Sequence, residues 1–132
     1  MDKKILIVDD EPGSIFLLSE LLEGDGYLVF SCNKGNEALE IFKSEGINIA
    51  FIDLNLPDMS GFEVCRRIRE YKKDSFVWTC AITGYSSLLN SAEYAETNFD
   101  EHFFKPFDIA LILETTEEAF KKLALFKQKL SI

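Results

Sequence analysis

Four short apolar runs in this chain end in polar residues that handle charge. The first run leads into Asp9, Asp10 and Glu11, and the third into Asp53. The fourth leads into Thr83 and Gly84, and the fifth into Lys105 and Pro106. Three carboxylates brought to one place repel one another, and burial raises their pKa values unless a cation joins them. One lysine offsets only part of that charge. The set offers oxygen donors and no Cys or His, which suits Mg²⁺ better than zinc or copper. A carboxylate beside such an ion and an ammonium is placed to attack a phosphoryl group, whose equatorial charge both cations stabilise. Thr83 adds a hydroxyl that can donate to a phosphoryl oxygen.

That chemistry requires a fold that gathers strand ends. Apolar runs fall at Ile5–Val8, Tyr27–Phe30, Ile49–Ile52, Phe76–Ile82 and His102–Phe104, with Phe99 just before the last. The first, third and fourth are nearly continuous and rich in Ile, Val and Phe, as expected of parallel strands covered on both faces. Between the runs lie amphipathic stretches. Pro12 opens one with Ile15, Leu18 and Leu22 on one face. Ala38, Ile41 and Phe42 stripe the next. Ser60 and Glu63 have capping-box spacing ahead of Val64 and Ile68. Ser86 or Ser87 is expected to cap a fourth helix through Ala95, and Asp108 a fifth.

Strict alternation of strand and helix predicts an α/β fold with right-handed crossovers. If the chain winds outward from the first strand in both directions, the architecture is a flavodoxin-like, doubly wound, five-stranded parallel sheet of order 2-1-3-4-5 with five helices. Ligands then sit beyond the carboxyl ends of the strands at the switch point, where Asp9, Asp10 and Asp53 converge.

Four blocks carry a resemblance to a known family. They are Ile5-Leu6-Ile7-Val8-Asp9-Asp10-Glu11-Pro12, Asp53-Leu54-Asn55-Leu56-Pro57-Asp58-Met59-Ser60-Gly61, Ala81-Ile82-Thr83-Gly84-Tyr85 and Phe104-Lys105-Pro106-Phe107. In order and spacing they resemble the receiver domain of two-component response regulators, over roughly residues 3 to 120. The resemblance implies that Asp53 accepts the phosphoryl group. It implies that Asp10 binds Mg²⁺ directly, Asp9 largely through water, and Asn55 through its backbone carbonyl. It makes Thr83 the switch hydroxyl, Lys105 the phosphoryl-binding cation, and Lys105-Pro106 a cis peptide. Gly84 leaves room for the phosphoryl group, and Asn55 and Tyr85 flank it and tune its lifetime. The implied partners are a sensor histidine kinase or a histidine phosphotransfer protein, followed by an effector that the sequence does not name.

The chain departs from the family pattern at the aromatic switch position, where His102 stands for Tyr or Phe. In that respect it is similar to receivers of hybrid kinases and phosphorelays. Asn98 replaces a Gly before the fifth strand, and Asn is the next best residue for a left-handed helix end.

The composition is consistent with this reading. The 132 residues suit one domain, and the formal charge of −9, from 14 basic and 23 acidic residues, disfavours nucleic acid and anionic membranes as direct partners. No run approaches the roughly 20 apolar residues of a membrane span, and the N-terminus lacks the pattern of a secretory signal, so a cytoplasmic setting is expected. Cys32, Cys65 and Cys80 form no CxxC pair and are expected to be buried thiols. Trp78 is expected in the core.

Ile109, Ile112, Thr116, Ala119, Leu123, Phe126 and Leu130 form one helical stripe. It divides the chain into a receiver at 1–122 and a C-terminal extension of the last helix at 123–132. Leu123, Phe126 and Leu130 are expected to lack a core to cover, which allows a homodimer or a linker helix.

Two other function classes share parts of the pattern. An aspartyl phosphohydrolase usually carries a second Asp two residues after the nucleophile, where this chain has Asn55. A flavin carrier needs a phosphate-binding loop after the first strand, where Asp9-Asp10-Glu11 would repel the phosphate.

Overall fold

The computed structural model describes residues 3–71 and 76–130. It contains β1 (Lys4–Val8), α1 (Pro12–Gly24), β2 (Leu28–Cys32), α2 (Gly35–Glu45), β3 (Ile49–Asp53) and α3 (Gly61–Tyr71). These are followed by β4 (Trp78–Thr83), α4 (Ser86–Leu89), α5 (Ala92–Thr97), β5 (Glu101–Phe104) and α6 (Ile109–Leu130). The strands form one parallel sheet of order β2-β1-β3-β4-β5, as expected.

Alternate residues of β1 and β3 feed two separate cores, and β4 adds Cys80 and Ile82 to the first while its Ala81 packs with Leu54 and Phe62. Ile5, Ile7, Ile49, Phe51, Cys80 and Ile82 face α1 and α6. Leu6, Val8, Ala50 and Ile52 face α2 and α3, where Phe42, Val64 and Ile68 meet them. Each Ile, Leu, Val or Phe among them, fully buried, contributes roughly 1.5–3 kcal/mol. This two-sided burial removes the need for polar residues at alternate positions, hence the continuous apolar runs. Trp78 is buried, and so are all three cysteines, which are free thiols.

The expected single fourth helix is two short ones. Neither Ser86 nor Ser87 caps α4; Tyr85 occupies that position without a side-chain cap. Ser91 causes the break. Its hydroxyl donates to the Leu88 carbonyl at 2.7 Å and accepts from the Tyr94 N–H at 3.1 Å. It therefore closes α4 and opens α5 with the same atom. Among the described residues there are thus six helices rather than five. Ser91→Ala should cost about 1 kcal/mol. Faster amide exchange confined to residues 92–97 would register the loss, and unchanged exchange there would refute the capping role.

Other local expectations hold. Asn98 ends α5 in the left-handed conformation at φ 62°. Asp108 accepts from the Leu111 N–H at 3.2 Å at the start of α6. Only half of the capping box forms: the Ser60 hydroxyl accepts from the Glu63 N–H, while the Glu63 carboxylate pairs with Arg66 and Arg67.

The last helix corrects one expectation. Leu123 is 5% exposed and belongs to the core under α1 and α6. Phe126 packs on Phe76, with ring centroids 4.8 Å apart. Leu123 therefore has a core to cover, while Phe126 is half-buried against the exposed ring of Phe76. The Leu130 side chain lies outside the described residues. At the other end of the stripe, Ile109 is exposed and Ile112 is the first residue fully buried.

Candidate functional site

Strand order sets the site. β1 and β3 are adjacent with Val8 opposite Ile52, so the residues that follow, Asp9 and Asp53, leave the sheet side by side. β4 delivers Thr83 beside β3, and β5 places Phe104 opposite Thr83. Lys105 then turns back over the edge, its N–H bonded to the Thr83 carbonyl at 2.9 Å, and the Lys105-Pro106 peptide is cis as expected.

The side chains converge on the Lys105 ammonium. Its Nζ lies 2.9 Å from Asp53 Oδ2, 2.8 Å from Asp9 Oδ2 and 2.7 Å from Glu11 Oε1. Asp9 is fully buried, and Asp53 is only 4% exposed. Asp53 Oδ1 accepts the Asn55 N–H at 2.8 Å, so both oxygens of this carboxylate are held. Asp9 Oδ1 accepts the Glu11 N–H at 2.9 Å. Asp9 Oδ2 is buried and close to the ammonium, yet it lacks hydrogen-bond geometry with any described group.

These contacts only partly compensate the cost of burying the charge. Burial pushes the Asp53 carboxyl up to about 6, against the hydrogen bonds from Lys105 and Asn55, and the neighbouring Asp9 raises it further. Burial alone would lower the Lys105 pKa. The ion pairs with Asp9, Glu11 and Asp53 outweigh it and hold the ammonium well above its ordinary range.

Ligand oxygens of Asp9, Asp10, Glu11 and Asp53 all lie within 4.8 Å of one another. Four carboxylates, one of them carrying an unsatisfied buried oxygen, fit a hard divalent cation. The site opens into a groove of about 810 Å³. Its wall includes Asn55, Gly84, Tyr85 and Pro106, each of which the sequence had placed here.

Thr83 is buried at the β4 edge. Its hydroxyl accepts the Tyr85 N–H at 3.0 Å, which leaves the O–H hydrogen to donate elsewhere. His102 does not join the groove. It is exposed on β5, with Nδ1 3.3 Å from the Tyr94 hydroxyl and its ring edge-on to Phe104.

Sequence reasoning missed two contributors. Glu11 has no role assigned by the sequence patterns, and its ion pair with Lys105 spans 94 positions. Adjacency to Asp10 was the only local signal. Gly61 opens α3 against the back of the site. A Cβ there would run into the Asp53 carbonyl and the Leu54 Cα, so the helix reaches β3 only because position 61 has no side chain.

The family model described as the response regulator receiver domain matches residues 5–117. The chain belongs to that family. This receiver is 34% identical over 118 residues to sporulation initiation phosphotransferase F of Bacillus subtilis, covering 89% of this chain and 94% of that protein. It spans 40–44% of the length of several transcriptional regulators that it also matches. Among solved structures it is similar to the CheY-like receiver domain protein of Methanospirillum hungatei. The TM-score is 0.86, at 30% identity, over 94% of this chain and 98% of that one. It is also similar to the response regulator TrrA of Thermotoga maritima, solved with Mg²⁺ and beryllium fluoride. There the TM-score is 0.79, at 33% identity, over 89% of this chain and 98% of that one. The receiver is thus a regulatory domain of two-component signalling.

Proposed function

We propose that this receiver takes a phosphoryl group onto Asp53 from a phosphohistidine on a sensor kinase or histidine phosphotransfer protein, and that the phosphorylated form changes partner binding. The observation that carries the reading is the buried Asp53 carboxylate held between the Lys105 ammonium and the Asn55 amide at the floor of an open groove. A carboxylate oxygen of Asp53 attacks phosphorus, the P–N bond of the donor breaks, and the departing imidazole takes up a proton from solvent. Lys105 hands one of its donors from the carboxylate to a phosphoryl oxygen, and the Thr83 hydroxyl donates to another. Gly84 leaves space beside the phosphoryl group. Asn55 and Tyr85, at the rim, set how readily water reaches it.

Asp10 and Asp53, with Asp9 and the Asn55 carbonyl, would hold Mg²⁺. When bound, the ion supplies positive charge to the phosphoryl oxygens and relieves the repulsion among the carboxylates.

The exposed His102 and the near-complete coverage of sporulation initiation phosphotransferase F support a phosphorelay intermediate that passes the group onward. No described helix is long and apolar enough to cross a membrane, and the exchange is proposed to take place in the cytoplasm.

The decisive test is intact mass after incubation with acetyl phosphate and Mg²⁺. Wild type should gain one phosphoryl group. A protein that stays unmodified, or one modified equally when Asp53 is replaced by Asn, would end this reading.

A further inference from the structure

We propose that Asp58 is a positioning residue for the phosphoacceptor: from the loop after β3 it clamps the N-terminus of α2, and so holds Asn55 against Asp53. The inference rests on Asp53 being the acceptor.

The helix α2 begins without a cap of its own. Lys34 occupies its N-cap and makes no side-chain cap bond. The first amides of such a helix need acceptors, and its N-terminus favours a carboxylate. Asp58 provides both oxygens from more than twenty residues away. Oδ1 accepts the Gly35 N–H at 2.7 Å, and Oδ2 accepts the Asn36 N–H at 3.0 Å. The Asn36 amide, then the Gly35 amide, hold the Asp58 carboxyl below its ordinary value against slight desolvation. Beside it, Met59 lies over Gly35 so closely that a Cβ at 35 would run into the Met59 side chain.

The loop is therefore fastened at two places. At its base, the Gly61 N–H bonds to the Leu54 carbonyl at 3.0 Å, and Asn55 bridges to Ser60. At its crown, Asp58 and Met59 seat it on α2. Asn55 belongs to the base of the loop, which the crown backs, with its N–H on Asp53 Oδ1 at 2.8 Å. Lys105 fixes the other oxygen at 2.9 Å. Without the crown, the Asn55 amide loses one of its two supports, and the carboxylate can rotate more freely about its last bond. The Asn55 carbonyl, which the proposed function assigns to Mg²⁺, loses its support as well.

A plain helix cap would serve α2 equally well from residue 34. A positioning clamp must come from the loop. Asp58→Ala should slow phosphorylation by acetyl phosphate and weaken Mg²⁺ binding by about tenfold, as loss of a hydrogen-bonded support for a metal site does. In the metal-free protein, amide exchange at Asn55 should accelerate together with Gly35 and Asn36. Asp58→Asn keeps one acceptor and should recover part of the rate. The double variant Lys34→Ser with Asp58→Ala restores a local cap, so it should regain thermal stability while its phosphorylation stays slow. A double variant that regains both, or an Asp58→Ala protein with wild-type rate and unchanged Asn55 exchange, overturns the proposal. An unmodified wild type would instead remove the acceptor reading, and the exchange data would still decide whether Asp58 orders the loop.

Discussion

Asp53→Asn should abolish phosphorylation and, at the same time, make the metal-free protein more stable above pH 7. Loss of the modification follows because an amide is a poor nucleophile and carries no charge for the cations to hold. The stability gain follows from burial. The carboxyl is pushed up to about 6 in the folded chain from 3.8 when unperturbed. A raised acid pKa contributes stability in its protonated form, fully present below 3.8, and loses it as pH rises to about 6. Above that range the ionised group costs up to about 3 kcal/mol. That cost is already net of the bond from Lys105; asparagine avoids it, but one end of its amide is a donor facing the donors of Lys105 and Asn55, so a net gain of about 1–2 kcal/mol is expected, or roughly 5 °C in Tm. The advantage should shrink as pH falls toward 4, where the wild-type carboxyl is itself neutral. Mg²⁺ should raise the Tm of wild type by mass action and leave the variant nearly unmoved. Thermal melts at pH 4 and 7.5, with and without Mg²⁺, check all of this. A variant less stable than wild type at pH 7.5 without metal would show that the carboxylate is fully compensated.

Gly61→Ala should be the most damaging single methyl in the molecule. The added carbon meets backbone atoms of Asp53 and Leu54 rather than a side chain that can swing away. Either α3 moves off the sheet, opening a gap beside Phe62, Val64 and Cys65, or the end of β3 shifts with the acceptor on it. Overpacking costs typically about 1–3 kcal/mol, and a backbone contact lies at or above the upper end. A loss of about 3 kcal/mol by urea denaturation is expected, together with loss of the stabilisation by Mg²⁺. Gly24→Ala is the internal control. Nothing lies within 4 Å of a Cβ at 24, and it sits at the end of α1, so alanine there should be neutral or stabilise by up to about 1 kcal/mol. Equal effects at 24 and 61 would show that propensity, not the close approach, governs both.

Much of the site was legible because its chemistry sits at strand ends. An apolar run that stops in Asp9 or Asp53 marks a strand and a functional edge in the same few residues, and alternation with helices fixes the edge on which they emerge. Asn98 could be placed by type, since few residues accept φ 62°. Three features were less accessible. The break between α4 and α5 turns on one hydroxyl at Ser91 that serves two helices, while Ser86 and Ser87 offered the same chemistry nearby. The partial cover of Phe126 near the end of α6 depended on the ring of Phe76, a contact across 50 positions. Glu11 and Asp58 each act on a partner far along the chain, and neither spacing nor periodicity carries that information.

By itself the amino-acid order determined the alternation of elements, the parallel sheet and which acidic, basic and hydroxyl groups stand at the strand ends, because residue type and periodicity act over a few positions. Only the tertiary structure decided how those groups meet: which oxygens of Asp9, Glu11 and Asp53 the Lys105 ammonium engages, how closely α3 approaches the acceptor, and which carboxylate caps α2. These are contacts between segments up to 94 residues apart. Their geometry follows from sheet register and packing, which no local stretch of sequence encodes.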